Sequence, residues 1–106
     1  LDSIRAFEKR LEFFKRNNEN KLIELTKPMY FRILLSNAIQ VYRNEKENLD
    51  IFKGIISKID SNINDFKKNK HMTKVDKILL NFYRIHPMLS FYAHDSLVLL
   101  KKIMKE

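Results

Sequence analysis

The sequence predicts an all-α fold: a compact bundle of four to five helices forming one domain over residues 1–106. Apolar residues recur at spacings of three and four along almost the whole chain, which is the period of an amphipathic helix. The 106 residues include one glycine and two prolines, too few turn residues for a β-sandwich or β-barrel. A chain of this length can bury one modest core. Because the sequence begins with Leu1 rather than Met, we expect it to be cut from a larger protein.

Composition excludes several classes of site. The chain has no cysteine, so disulfides, zinc ribbons, iron–sulfur centres and thiol catalysis are excluded. The longest stretches without Asp, Glu, Lys or Arg are residues 33–42 and 85–94. They reach only about half of the roughly 20 residues that a membrane-spanning helix needs. Charged residues interrupt the start of the chain, where a signal peptide would be apolar. We expect an intracellular protein, with nucleus and cytoplasm left open.

The first two helices are predicted from contrasting patterns. An apolar stripe at spacings of three and four indicates an amphipathic first helix that ends near Asn17 and Asn18. Its members are Leu1, Ile4, Phe7, Leu11 and Phe14. The second helix, about residues 28–43, is expected to begin near Thr26, Lys27 and Pro28, where Pro suits the first turn. It is apolar on most sides, so we expect other helices to surround it.

The third helix is predicted over about residues 45–68, as the longest of the bundle. Its apolar residues follow the heptad spacing of three and four without interruption. They are Leu49, Phe52, Ile56, Ile59, Ile63 and Phe66. The added apolar residues Ile51 and Ile55 favour packing inside a globular bundle over a two-stranded coiled coil.

The last two helices are separated by a proline. Thr73 and Asp76 have the spacing of a capping box, with Asp in place of the usual Glu. The fourth helix then runs from about residue 74 to 85, with Val75, Ile78, Leu79, Phe82 and Ile85 expected to face the core. Pro87 disfavours helix at the preceding residue. The fifth helix should therefore be separate, over about residues 88–105.

A basic stripe is the first candidate binding surface. It consists of Lys67, Lys68, Lys70, Lys74, Lys77 and Arg84. Lys74, Lys77, Asn81 and Arg84 follow helical spacing, so they lie on one face of the fourth helix. That face could follow a phosphate backbone, with Tyr83 adjacent for stacking on a base. The alternative is an ordinary solvated face, since lysine-rich runs are commonly that.

A surplus of apolar residues on the fifth helix is the second candidate surface. If the bundle takes Met88, Tyr92, Leu97, Leu100 and Met104, then Phe91, Val98 and Leu99 point elsewhere. Exposed apolar clusters of this kind mark partner or dimer contacts. The alternative is that the second and fifth helices are both central in a five-helix fold.

Catalytic and cofactor motifs do not stand out. One glycine cannot form a phosphate-binding loop, and no serine has the surroundings of an activated nucleophile. His86, His94 and Asp95 could be imagined as a metal site, but the two histidines flank the proline break and no third strong ligand is nearby. We therefore expect no enzyme activity, no metal, no cofactor and no small-molecule substrate.

The function expected from these observations is a non-catalytic interaction or assembly module. It would bind a protein partner or a second copy of itself through the fifth helix, and an acidic ligand through its basic face. The net charge of +8, from 21 basic and 13 acidic residues, also allows an alternative function. In that alternative the chain binds nucleic acid directly through residues Lys67–Arg84.

Overall fold

The structure, a computed structural model, describes residues 2–44 and 49–105, with side chains up to residue 102. The all-α prediction is confirmed, although the described residues form six helices rather than four or five. The helices are α1 (Asp2–Arg16), α2 (Asn20–Asn44), α3 (Leu49–Ser61), α4 (Ile63–Lys68), α5 (Lys74–Ile85) and α6 (Pro87–Lys105). Among these helices, none combines the length and the apolarity needed to cross a membrane.

The described chain divides into two compact units. The first unit extends to Met72 and contains α1 to α4, while the second starts at Thr73 and contains α5 and α6. In the first unit α2 contacts α1, α3 and α4, and in the second α5 packs against α6. The single bundle expected over residues 1–106 is thus built as a four-helix unit followed by a helical hairpin.

α1 ends where the asparagines predict. Asn18 adopts a left-handed conformation with φ 54°, which asparagine tolerates better than most residues. Two backbone hydrogen bonds satisfy the last carbonyls of α1. Asn18 donates its N–H to the Lys15 carbonyl, and Glu19 donates its N–H to the Phe14 carbonyl. This is the bond pattern that commonly terminates a helix at a left-handed residue.

α2 is the enclosed central helix that the sequence predicts, but it is longer than expected. It begins at Asn20 and continues through Pro28 to Asn44, so the predicted start at Pro28 was wrong. Its 25 residues also make it the longest described helix, in place of the third helix. Four of its side chains have at most 1% of their surface exposed: Phe31, Leu34, Leu35 and Ala38.

Pro28 can lie inside α2 because a side chain from another helix replaces the bond that proline removes. Proline has no N–H to donate to the carbonyl four residues earlier, which here belongs to Glu24. The buried Asn69, the residue that follows α4, donates its Nδ2–H to that carbonyl at 2.8 Å. Asn69 is held in turn by the His71 backbone N–H, which donates to its Oδ1 at 2.8 Å. The helix therefore continues through Pro28 with the Glu24 acceptor satisfied.

The long third helix predicted over about residues 45–68 is interrupted at Asn62. Asn62 has φ −106° and ψ 5° and separates α3 from α4, while residues 45–48 lie outside the described part. Its side chain donates to the Lys58 carbonyl at 2.8 Å, which competes with regular helix at this point. Of the six predicted seam residues, Ile59 and Phe66 are buried and Leu49 is exposed, and the other three are half-buried; the added residue Ile55 is buried as well.

Glu8 links three helices of the first unit. Its carboxylate accepts hydrogen bonds from the Tyr30 hydroxyl of α2 at 2.8 Å and from Lys58 Nζ of α3 at 2.6 and 2.8 Å. Burial alone raises the pKa of Glu8, but the bonds from Lys58 and Tyr30 and the charge of Lys58 outweigh it. The result is a pKa below the ordinary value of 4.5. Burial and the negative charge of Glu8 raise the pKa of Tyr30.

The Asn69 bond can be tested with a double-mutant cycle. We expect Asn69→Ala to lower the free energy of unfolding by about 1–3 kcal/mol, because the Glu24 carbonyl loses its donor. In a Pro28→Ala background the backbone N–H of residue 28 becomes available, so the same substitution should cost less. Urea unfolding of the parent and the three variants measures both costs. Equal costs in the two backgrounds would contradict the role given to Asn69.

Glu8 predicts a specific acid sensitivity. Because its folded-state pKa is lowered, its carboxylate stabilises the fold above about pH 4.5, and this contribution is lost as the pH falls through the lower folded pKa. We expect the Tm of the parent to fall more between pH 6 and pH 3 than that of Glu8→Gln, which has no carboxylate to protonate there. Glu12→Gln is the matched control on α1, since Glu12 pairs only with exposed Arg16 among the ion pairs described. If the control flattened the acid limb as much as Glu8→Gln does, the assignment to Glu8 would fail.

Candidate interaction surfaces

The six residues of the predicted basic stripe are all exposed, but they belong to both units. Lys67 and Lys68 form the end of α4, and Lys70 follows them in the first unit. Lys74, Lys77 and Arg84 lie on α5 in the second unit. We call these three residues of α5 the basic ridge. Helical spacing places them on one side of α5, as the sequence predicts.

α5 begins with the capping box that the sequence predicts. The Asp76 backbone N–H donates to Thr73 Oγ1 at 3.1 Å, and the Thr73 backbone N–H donates to the Asp76 carboxylate at the same distance. Asp76 is buried, together with Leu79, Leu80 and Tyr83 on the same side of the helix. Tyr83 therefore cannot stack on a nucleic-acid base, which corrects the expectation for this residue.

The face of α5 that was expected to reach the core is the exposed one. Of its five predicted inward residues, only Leu79 is buried. The other four are exposed over 37–74% of their surface, and we call them the α5 apolar stripe. They are Val75, Ile78, Phe82 and Ile85. Each residue of the basic ridge immediately precedes a residue of the stripe in the sequence. Because consecutive helical residues are separated by about 100° around the axis, the ridge lies on the side of α5 next to the stripe.

α6 divides the predicted partner residues. Phe91 is buried and contributes no surface, contrary to expectation, whereas Val98 and Leu99 are exposed as expected. Tyr92 and Leu100, which were assigned to the core, are also exposed. Met88 and Leu97 are half-buried, and the side chain of Met104 lies outside the described part. The exposed apolar surface of α6 thus lies both near its start, at Leu89 and Tyr92, and near its end, at residues 98–100.

α6 starts at the proline break. His86 has extended backbone (φ −162°, ψ 131°) between α5 and α6, as Pro87 predicts. Its Nδ1 accepts the Met88 backbone N–H at 3.1 Å, so the imidazole satisfies a donor at the start of α6. His94 Nδ1 lies 3.9 Å from an Asp95 carboxylate oxygen. The part of the chain that the structure describes holds no group of three or more side chains able to ligate a metal ion.

The α5 apolar stripe is the feature that sequence reasoning missed. Its signal is present in the sequence, because α5 contains apolar residues on two sides rather than one. Leu79, Leu80 and Tyr83 form one side and the stripe forms the other. With apolar residues on two sides, helical periodicity alone does not select which side faces the core.

Comparisons with protein-family models, with curated proteins and with solved structures find no match to this chain.

We expect the fold to tolerate removal of the basic ridge. Its three side chains are exposed, so we expect the triple variant Lys74→Glu/Lys77→Glu/Arg84→Glu to keep the Tm of the parent within about 3 °C. Its affinity for fluorescein-labelled poly-L-glutamate, measured by anisotropy, should fall at least tenfold because attraction becomes repulsion.

A second triple variant controls for net charge. Lys9→Glu/Lys15→Glu/Lys21→Glu makes the same charge change at exposed positions of the first unit, and it should retain most of the affinity. Equal losses in the two variants would mean that poly-L-glutamate responds to net charge and not to the ridge.

Proposed function

We propose that the chain is a non-catalytic helical interaction module. It binds a protein partner or a second copy of itself through the C-terminal end of α6, and it binds an acidic ligand through the basic ridge. The observation that carries this proposal is the exposure of three consecutive apolar residues near the end of α6. Val98, Leu99 and Leu100 are exposed over 42%, 61% and 52% of their surface. We call them the α6 apolar end.

The end of α6 is exposed on several sides, which supports a role for a partner that covers it. Three consecutive residues span about 200° of a helix, so the α6 apolar end presents apolar groups on more than one side. Ser96, Lys101 and Lys102 around it are exposed as well. Helical segments of fewer than about 12–15 residues are marginal in water without tertiary packing. A partner that covers this end would bury its apolar surface and stabilise the helix.

Four buried or half-buried polar groups of the described chain make bonds that support a structural rather than a catalytic role for these side chains. The carboxylate of Asp76 caps α5, that of Glu8 links three helices, and Asn69 satisfies the Glu24 carbonyl. Ser90 donates its hydroxyl to the Pro87 carbonyl at 2.6 Å. Each of these groups is engaged in a bond that stabilises a helix end or a helix contact.

Direct binding of nucleic acid is the second candidate. Exposure of all six residues of the predicted basic stripe favours it, because each can reach a phosphate. The two candidates differ in salt response: on duplex DNA, each phosphate contact makes the slope of log K against log salt more negative by about 0.9. A contact dominated by apolar residues of α6 would respond much less to salt.

The α6 apolar end is tested by adding a charge to it. We expect Val98→Glu to weaken self-association, or binding of an isolated partner, at least tenfold, because a carboxylate would be buried in an apolar contact. Light scattering coupled to size-exclusion chromatography measures the association, and circular dichroism verifies that helicity is retained.

Ser96→Glu adds the same charge to a neighbouring exposed position and serves as the control. It should leave association within about threefold of the parent, a difference of about 0.7 kcal/mol. Loss of the fold in Val98→Glu would place Val98 in the core. Equal association in all three proteins would mean that the α6 apolar end is not an interface.

A further inference from the structure

We propose that the α5 apolar stripe and the basic ridge together bind an acidic amphipathic helix of a partner protein. This inference rests on the proposed function and names the chemistry of the acidic ligand. The partner helix would place its apolar residues on the stripe and its carboxylates against the ridge.

The spacing of the stripe fits a helix. Val75, Ile78, Phe82 and Ile85 follow one another at intervals of three, four and three, the repeat by which two helices pack side by side. The stripe extends over ten residue steps, about 15 Å of helix. A helix with apolar residues at the same repeat can contact each turn of α5 along this length.

The positive charge beside the stripe indicates that the partner is negatively charged. Asp76 is the single acidic residue of α5, and it is buried in the capping box. The exposed charges of α5 are therefore all positive: Lys74, Lys77 and Arg84. A helix with Glu or Asp beside its apolar residues complements both features, whereas the positive ridge disfavours a basic helix by like-charge repulsion.

Other occupants satisfy only part of this surface. A second copy using the same face would bring two basic ridges to one interface, where like charges repel. Nucleic acid would contact the ridge but leave the stripe in water. A membrane surface favours helices with a broad apolar face, whereas the stripe has one apolar residue per turn.

The surface is already formed in the isolated chain. The capping box fixes the start of α5, and the buried side chains of Leu79, Leu80 and Tyr83 fix its rotation. Because the stripe and the ridge lie on a helix that is already formed, a partner does not have to order the backbone of α5 on binding.

The test uses three labelled probes in fluorescence anisotropy. The first is an 18-residue peptide with Leu at heptad positions and Glu at the flanking positions. The second has Gln in place of each Glu, and the third is poly-L-glutamate of the same length. We expect the Glu peptide to bind at least tenfold more tightly than either of the others and to gain helicity on binding. Equal affinity of the Gln peptide would overturn the part assigned to charge, and with it the proposal.

Paired variants locate the binding surface. Ile78→Ser/Phe82→Ser removes the centre of the stripe and should weaken binding of the Glu peptide at least tenfold. The control, Leu22→Ser/Met29→Ser, changes apolar residues of α2 that are similarly exposed, 40% and 44% against 47% and 39%. It should bind as the parent does. Equal losses in the two variants, or none in either, would contradict the proposal.

Folding is checked separately. Both double variants are compared with the parent by circular dichroism and thermal unfolding. If Ile78→Ser/Phe82→Ser does not fold, Ile85→Ser replaces it, because Ile85 is 74% exposed and is the least buried member of the stripe. Ile85→Ser should weaken binding of the Glu peptide at least threefold, and unchanged binding would overturn the proposal.

The outcome also separates this inference from the proposed function. If poly-L-glutamate binds through the ridge as tightly as the Glu peptide, the acidic ligand need not be a helix, and only the inference fails. If neither probe binds and Val98→Glu does not change association, the proposed function fails too. Duplex DNA and phosphatidylserine vesicles are tested as competitors of the Glu peptide. If one of them displaces the peptide, and Ile78→Ser/Phe82→Ser weakens its binding as much as it weakens binding of the peptide, the surface belongs to that ligand instead.

Discussion

The bond from Asn69 to the Glu24 carbonyl supports the helix around which the first unit is arranged. Pro28 removes one backbone donor within α2, and the buried amide of Asn69 supplies another at 2.8 Å. With that acceptor satisfied, α2 runs unbroken from Asn20 to Asn44 and contacts α1, α3 and α4. The same bond holds the chain beyond α4 against α2. The backbone donor that Pro28 lacks is thus replaced by a contact between α2 and the end of α4.

Polar and aromatic contacts add direction to the apolar packing of α2. Apolar burial supplies most of the driving force but does not by itself select one rotation of a helix. Phe66 of α4 lies against Phe31 with ring centroids 5.2 Å apart. One residue earlier on α2, Tyr30 donates its hydroxyl to Glu8, which also accepts bonds from Lys58. The Tyr30 ring also lies near Phe66, with centroids 6.3 Å apart, so this turn of α2 contacts α4 through both rings and α1 through the Tyr30 hydroxyl.

The second unit differs from the first because α5 has apolar residues on two sides and buries only one of them. The capping box places Asp76 on the buried side, and Leu79, Leu80 and Tyr83 follow it at helical spacing. The α5 apolar stripe is left outside, next to the basic ridge. Juxtaposition of an apolar stripe and a row of cations is what makes an acidic helix a better complement than nucleic acid, which would use the cations alone.

The sequence by itself determined the helical class, the end of α1 at its asparagines, the capping box at Thr73 and the break before Pro87. These features depend on backbone chemistry within a few residues, so local patterns suffice to predict them. Tertiary structure decided that α2 passes through Pro28, because the replacement donor is Asn69, 45 positions from Glu24. It also decided that α5 buries Leu80 and Tyr83 instead of Phe82, and that Phe91 is enclosed while Tyr92 is exposed. A helix with apolar residues on two sides has two acceptable rotations, and the choice between them depends on neighbours that are distant in sequence.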